Sequence, residues 1–188
     1  MDITEATANM SLLDETQLKK REDYIVWEDY FMAIAFLAAK RSKDPSYQVG
    51  ACIVNNDKKI VGIGYNGMPI GCSDDKFPWA KRTPSPLDSK GFYVCHAEMN
   101  AIMNKNSVDV KNCTIYVGLF PCHECAKVII QAGITKVYYL SDEKGQNPSF
   151  IASKRMFDAS GVHYEQYIPK CRKIEINFPD WSSTSPSK

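Results

Sequence analysis

Two short patterns hold residue types that could do chemistry together: His96-Ala97-Glu98, and Pro121-Cys122 followed by Cys125. Cys122 and Cys125 stand three apart at the start of a predicted helix, so one turn brings both sulfurs to the same face. A helix N-terminus favours the thiolate, which is the form that binds metal. Pro121 is tolerated there because a missing N–H costs little at that point. His96 opens the preceding helix. If the two helices lie side by side, their N-termini present one imidazole and two thiolates to a common point. Three N/S ligands with the fourth position left to water describe a catalytic zinc site. Zinc lowers the pKa of such a water to about 7, which makes hydroxide available at neutral pH. Glu98 is near enough to face the open position without being a ligand, and it is the expected proton carrier. To work in both directions its pKa should lie near neutrality, a value that a closed, poorly solvated pocket favours.

Plainer readings compete with this one. A lone C-x-x-C fits a redox pair or a structural zinc, but the upstream H-x-E and the proline before the first cysteine tell against both. A closed structural site needs a fourth ligand. Cys95 is the available rival, although consecutive residues seldom both face one ion. His123 lies inside the C-x-x-C, and on a helix it points away from the two sulfurs towards the surface. His163, in a predicted strand, reads as structural. Cys52, Cys113 and Cys171 lie in or beside apolar segments and read as small core residues.

The elements that must position these groups follow from hydrophobic period. Residues 27–40 read as a helix, with Phe31, Ile34, Ala35 and Ala38 at helical spacing. Residues 49–54 and 60–65 are short apolar runs around the polar Asn55-Asn56-Asp57-Lys58, the pattern of a β-hairpin. Then come a helix over 97–106, a strand over 114–118, a helix over 122–132 ending at Gly133, a strand over 136–140, a helix over 149–159 and a strand over 162–166. The expected fold class is α/β: a central five-stranded mixed sheet with helices on both faces and a parallel crossover between the last strands. Residues 67–94 hold Pro69, Pro78, Pro84 and Pro86 and no clear period, the mark of a functional loop or a disordered one, with a part in shaping the site as the favoured reading. Residues 1–20 are expected to be a flexible tail, 21–170 one catalytic domain, and 171–188 an extension disordered at its end.

Composition narrows the partners. The net charge of +1, with Lys and Arg scattered and no basic stripe, argues for a small-molecule substrate over nucleic acid. The most apolar stretch, 30–39, is too short to span a bilayer, so no membrane partner is expected. The seven cysteines, without a secretory pattern before them, point to reduced thiols in the cytoplasm or nucleus.

The combination H-x-E…P-C-x-x-C is the signature of zinc-dependent nucleobase deaminases. Beyond it, the sequence resembles the deoxycytidylate (dCMP) deaminases of the cytidine deaminase-like superfamily over about residues 24–170. The resemblance is carried by Arg41-Ser42-Lys43-Asp44-Pro45 leading into Gln48-Val49-Gly50-Ala51, by Gly64-Tyr65-Asn66-Gly67-Met68-Pro69, and by the run from Tyr93 to Ile102. It implies a three-layer α/β/α fold and hydrolysis of dCMP to dUMP and ammonia, supplying dUMP for thymidylate synthesis. Glu98 would move protons from water to ring nitrogen 3 and on to the departing ammonia. It also implies a homohexamer activated by dCTP with Mg2+ and inhibited by dTTP. By the same resemblance, Val49, Gly50, Ala51 and Ala97 floor the base pocket and Asn66 binds the nucleoside. Arg41, Ser42, Lys43, Tyr65, Gly67 and Asn100 are candidates for phosphate or effector contacts, and Lys81 and Arg82 are further basic candidates in the long loop. Some members carry a second, structural zinc held by Cys and His from that loop. This loop offers Cys72 but no histidine, so one zinc per chain is expected. Two alternatives stay open: another cytosine or adenine deaminase acting on a free nucleoside or tRNA, and a zinc-stabilised interaction module without activity. The near-neutral charge speaks against a tRNA substrate. Glu98 speaks against the module, since a scaffold has no use for that carboxylate.

Overall fold

The computed structural model describes residues 19–178. Most of the predicted N-terminal tail and the end of the C-terminal extension lie outside the described residues. In chain order the elements are α1 (Trp27–Ala39), β1 (Gly50–Val54), β2 (Ile60–Tyr65), α2 (Ala97–Met103), β3 (Thr114–Leu119), α3 (His123–Gln131), β4 (Lys136–Ser141), α4 (Pro148–Ser160) and β5 (His163–Gln166). The strands form one sheet in the order β2-β1-β3-β4-β5. β1 pairs antiparallel with both β2 and β3, whereas β3–β4 and β4–β5 are parallel. Parallel neighbours need a long crossover, and α3 and α4 supply the two. The β1–β2 turn closes on Asn55, whose side-chain oxygen accepts from the N–H groups of Asp57 and Lys59.

Side-chain alternation along β1 and β3 separates the layers. Ala51, Ile53, Ile115 and Val117 point to one face and pack with Ala97 and Ala101 of α2, Ile129 of α3 and Phe157 of α4. Cys52, Val54 and Tyr116 point to the other face and pack with Phe31, Met32 and Ala35 of α1. A period of two on strands buried on both sides produces the expected three layers. Two glycines let helices press onto the sheet. A Cβ on Gly50 would stand 1.9 Å from the Ala35 carbonyl oxygen of α1, and one on Gly64 would stand 2.2 Å from the Ala101 nitrogen of α2.

The observed ends match the periodic reading or depart from it by at most three residues. The largest departure is in α2, expected to run to Asn106. It stops at Met103 because the Asn106 N–H turns back to donate to the Val61 carbonyl of β2. The chain also stays docked past the expected domain end at 170. Buried Asp29 of α1 accepts from Tyr167 Oη at 2.7 Å, Lys170 N at 3.2 Å and Cys171 N at 3.0 Å. Cys52 and Cys113 are buried as expected, but Cys171 is only half-buried and donates its thiol to the Lys173 carbonyl. The long loop is irregular apart from two single 3-10 turns, Pro86–Asp88 and Lys90–Phe92. It is tied to itself by Trp79 Nε1 donating to Asp74 O and Lys90 N donating to Ala80 O.

Candidate active site

His96 and Cys122 occupy equivalent places, the N-cap positions of α2 and α3, both in extended conformation. Neither side chain caps its own helix, so imidazole and thiol turn towards each other instead. His96 Nδ1 lies 3.4 Å from Cys122 Sγ and 3.4 Å from Cys125 Sγ. With Zn–S of about 2.3 Å and Zn–N of about 2.0 Å, the S···N edge of a tetrahedron is about 3.5 Å. The three side chains therefore fit zinc. Among the described residues they form the one His/Cys/Asp/Glu group close enough to hold a metal, and Cys95 is not in it.

Several contacts hold the two N-termini in place. Gly67 and Cys95 exchange backbone hydrogen bonds of 3.1 and 2.9 Å, which ties the chain before His96 to the end of β2. Asn100 Nδ2 donates to the Tyr65 carbonyl at 2.7 Å on the next turn of α2. Beside α3, the Phe120 N–H donates to Ser141 O, and Ser149 Oγ of α4 lies 2.6 Å from His123 Nδ1. His123 thus faces a neighbouring helix rather than the metal ligands.

The electrostatics suit a cation. The hydrogen bond with Cys122 pushes the His96 imidazole up to about 9. The Cys125 thiol, and then His96, bring Cys122 down to about 3, the thiolate range. Cys125 is pushed far up by its contact with Cys122 and by burial. Bound zinc would take both sulfurs as thiolates. Glu98 is 5% exposed, and burial pushes its carboxyl above the usual carboxylate range.

His96, Glu98 and Cys122 line a cavity of about 240 Å³. Val49, Ala97, Leu119 and Phe120 supply apolar wall beside them. A larger groove of about 430 Å³ lies between α1 and the C-terminal segment. Among the described residues it holds no metal-ligand cluster, and its buried carboxylate, Asp29, is already satisfied three times over.

A second cluster in the cavity lining is built around Asp44, a residue to which the sequence reading gave no role. Asp44 is 3% exposed and Lys90, 8% exposed, donates to both its oxygens at 2.5 and 2.6 Å. Asp44 Oδ1 also accepts from Ser46 N at 2.8 Å and Tyr47 N at 3.1 Å. Asn66 joins the cluster: its Nδ2 donates to Tyr47 O at 2.9 Å and Asp44 Oδ2 at 3.3 Å, while its Oδ1 accepts from Val49 N at 2.9 Å. The Asn66 amide lines the cavity, yet much of its hydrogen-bonding capacity is spent holding the Val49 backbone.

The other predicted contacts divide clearly. Val49 and Ala97 reach the cavity. Gly50 does not, since the close approach it permits is to α1 on the opposite face, and Ala51 is fully buried in the core. Arg41, Ser42 and Lys43 lie outside the cavity lining. Lys43 pairs with Asp74, and the Ser42 hydroxyl accepts from Asp44 N at 3.3 Å. Tyr65, Gly67 and Asn100 form their own cluster at the start of α2, as described above. Lys81 lines the cavity, Arg82 does not, and Lys144 lines it without any sequence signal having singled it out.

Residues 25–141 match the model of the cytidine and deoxycytidylate deaminase zinc-binding region. The deoxycytidylate deaminase of Homo sapiens is 57% identical over 176 residues, covering 94% of this chain and 99% of that protein. A probable deoxycytidylate deaminase of Drosophila melanogaster is 51% identical over 173 residues, covering 89% of this chain and 85% of that one. Among solved structures, the dCMP deaminase of cyanophage S-TIM5, determined in complex with dCMP and dUMP, superposes with a TM-score of 0.57 at 26% identity. The match covers 79% of this chain and 100% of that one.

Proposed function

The chain belongs to the cytidine and deoxycytidylate deaminase family, and from that premise we propose that it hydrolyses dCMP to dUMP and ammonia in the cavity between α2 and α3. The observation that carries this is the pairing of a three-ligand metal set with a buried carboxylate, Glu98, in one cavity. When bound to His96, Cys122 and Cys125, zinc acts as a Lewis acid and makes water acidic enough to attack at neutral pH. Glu98 does the rest of the proton traffic. It accepts a proton as the water oxygen bonds to carbon 4 of the cytosine, and delivers one to ring nitrogen 3. From the tetrahedral carbon it then carries the remaining water proton to the amino group, and the C–N bond breaks with its electrons leaving on ammonia. One water is consumed, and the ring is left as uracil. A carboxyl that burial makes easier to protonate suits a group that must both take and give.

The dUMP so formed would feed thymidylate synthesis. Activation by dCTP with Mg2+, inhibition by dTTP and assembly as a hexamer belong to the same proposal. They are supported by the family resemblance of the loop at 64–69, which brings Asn66 to the cavity and ties Gly67 to Cys95 beside the metal ligands. Exposed Phe36 and Leu37 on α1 are consistent with a subunit contact. The cytoplasm, or the nucleus, is the proposed location.

Ammonia release by the purified, zinc-loaded protein tests the proposal, with dCMP, deoxycytidine, dCTP and a short cytosine-containing DNA compared, each with and without dCTP and Mg2+. Turnover of dCMP, raised by dCTP, is expected. Preferential turnover of the oligonucleotide or the nucleoside would overturn it.

A further inference from the structure

The lining around Asp44 carries an excess of positive charge. Three lysines line it: Lys81, Lys90 and Lys144. Lys90 is matched by Asp44, with an N–O contact to each carboxylate oxygen. Neither Lys81 nor Lys144 forms an ion pair among the described residues. They arrive from separate places, Lys81 from the long loop and Lys144 from the turn between β4 and α4. Their ammonium groups nevertheless converge on one ring, that of Tyr47, at 5.5 and 3.8 Å from its centroid. A cation–π contact at an exposed ring stabilises each by only about 0.5–1 kcal/mol, and the two like charges repel. An anion between them would turn that repulsion into attraction.

We infer that Lys81 and Lys144, gathered on Tyr47, form the subsite for the 5′-phosphate of the nucleotide substrate. The inference rests on reading the cavity as a nucleotide site and deepens that reading. His96, Glu98 and Cys122 share the cavity lining with these lysines. A nucleotide with carbon 4 of its cytosine at the metal centre must place its sugar and phosphate within the same lining, where Lys81 and Lys144 are the lysines without a carboxylate partner among the described residues. Asp44 does not compete for the phosphate's partners, because its charge is already neutralised by Lys90. A carboxylate–lysine pair fixed beneath Tyr47 instead holds the platform on which the two free lysines sit, since Asp44 Oδ1 accepts from the Tyr47 N–H. Arg41 and Lys43, the basic residues nearest the motif in sequence, do not line the cavity.

The test compares kcat/KM for dCMP and for deoxycytidine in the zinc-loaded wild type, Lys81→Ala, Lys144→Ala, the double variant, Lys144→Arg and Lys43→Ala. A lost charge-assisted hydrogen bond reduces kcat/KM for dCMP by about 10- to 100-fold per lysine, chiefly through KM. The preference for dCMP over deoxycytidine is expected to collapse in the double variant, to survive in large part in Lys144→Arg, and to be untouched in Lys43→Ala. If the wild type shows no preference for dCMP, the nucleotide reading fails and the subsite with it. If the wild type prefers dCMP and the double variant keeps that preference, the lysine assignment alone is overturned. Both lysines are at least partly exposed, and zinc content of each variant verifies that the metal end is intact.

Discussion

The two clusters that line the cavity, the metal end and the Asp44 end, are built differently. At the metal end, His96, Cys122 and Cys125 ride on the first residues of two helices that are pressed onto the sheet and tied by backbone hydrogen bonds. Their relative positions are set by main chain. In the other cluster, Asp44, Tyr47, Asn66, Lys81, Lys90 and Lys144 come from stretches outside the strands and α-helices. Their positions are set by side chains, above all by the Asp44 carboxylate and the Lys90 ammonium that neutralises it. The lesson is that one cavity joins a rigid chemical end to an end whose shape depends on a buried ion pair. Substitutions at the first should remove chemistry and leave the fold; substitutions at the second should disturb the fold and the loop first.

The largest effect expected is at Glu98. Glu98→Gln keeps the shape but cannot accept a proton, so kcat should fall by about 10²- to 10⁴-fold. Zinc content by elemental analysis and the unfolding midpoint should stay close to wild type. A variant that instead lost its zinc would show Glu98 to be part of the metal-holding framework, and the division between the two ends would blur.

Next in size is Asp44→Ala. It leaves the Lys90 ammonium buried without a partner, which costs about 3–5 kcal/mol, measurable by denaturant unfolding, while zinc content in the folded fraction stays full. The pair also gives a pH signature. Burial works to raise the Asp44 pKa, but Lys90 and the N–H groups of Ser46 and Tyr47 outweigh it and hold it below the usual carboxylate value. A depressed native pKa stabilises the fold above the unfolded pKa, about 3.9, and that contribution is lost as pH falls below it towards the native value. Wild type should therefore lose stability below about pH 4 more steeply than Asp44→Asn. Equal slopes would mean that Lys90 does not hold the carboxylate in solution.

Gly64→Ala probes the metal end through the backbone. The new Cβ would meet Ala101 N at 2.2 Å and Ala97 O at 2.4 Å, so α2 must move. Overpacking of this kind destabilises by about 1–3 kcal/mol. Because α2 carries His96 and Glu98, activity and zinc affinity should fall further than stability alone explains. Activity loss that merely tracks the unfolded fraction would argue that the metal end is less dependent on helix placement than its geometry suggests.

The same contrast decides what was legible in the sequence. The strands showed themselves through a period of two, and the metal set and Glu98 through a local motif whose residue types the chemistry demands. Asp44 and Lys90 gave no such signal, because 46 residues and an aperiodic loop separate them. Lys144 sits alone in a polar turn, where one lysine has no pattern to stand out from. Gly50 was legible only in part. A strand glycine announces that something approaches closely, but not what, and here it is α1 rather than a ligand. Asn66 shows the limit in another way: its place was readable, while the three bonds that occupy its amide arise from tertiary contacts.

The smallest effect, and the most direct check on how firmly main chain governs the metal end, is expected from Ser149→Ala. Ser149 Oγ lies 2.6 Å from His123 Nδ1 and 3.4 Å from the His123 backbone nitrogen, the first helical residue after Cys122. It is a side-chain strut between α3 and α4 next to a metal ligand. If backbone packing already fixes Cys122, losing the hydroxyl costs only an ordinary hydrogen bond, about 0.5–1.5 kcal/mol of stability. Zinc affinity, measured by competition with a chelator, should then change by less than about threefold, well short of the 10- to 100-fold typical when an outer partner of a metal ligand is lost. A tenfold or larger loss of zinc affinity would show that the metal end, too, depends on side-chain bracing.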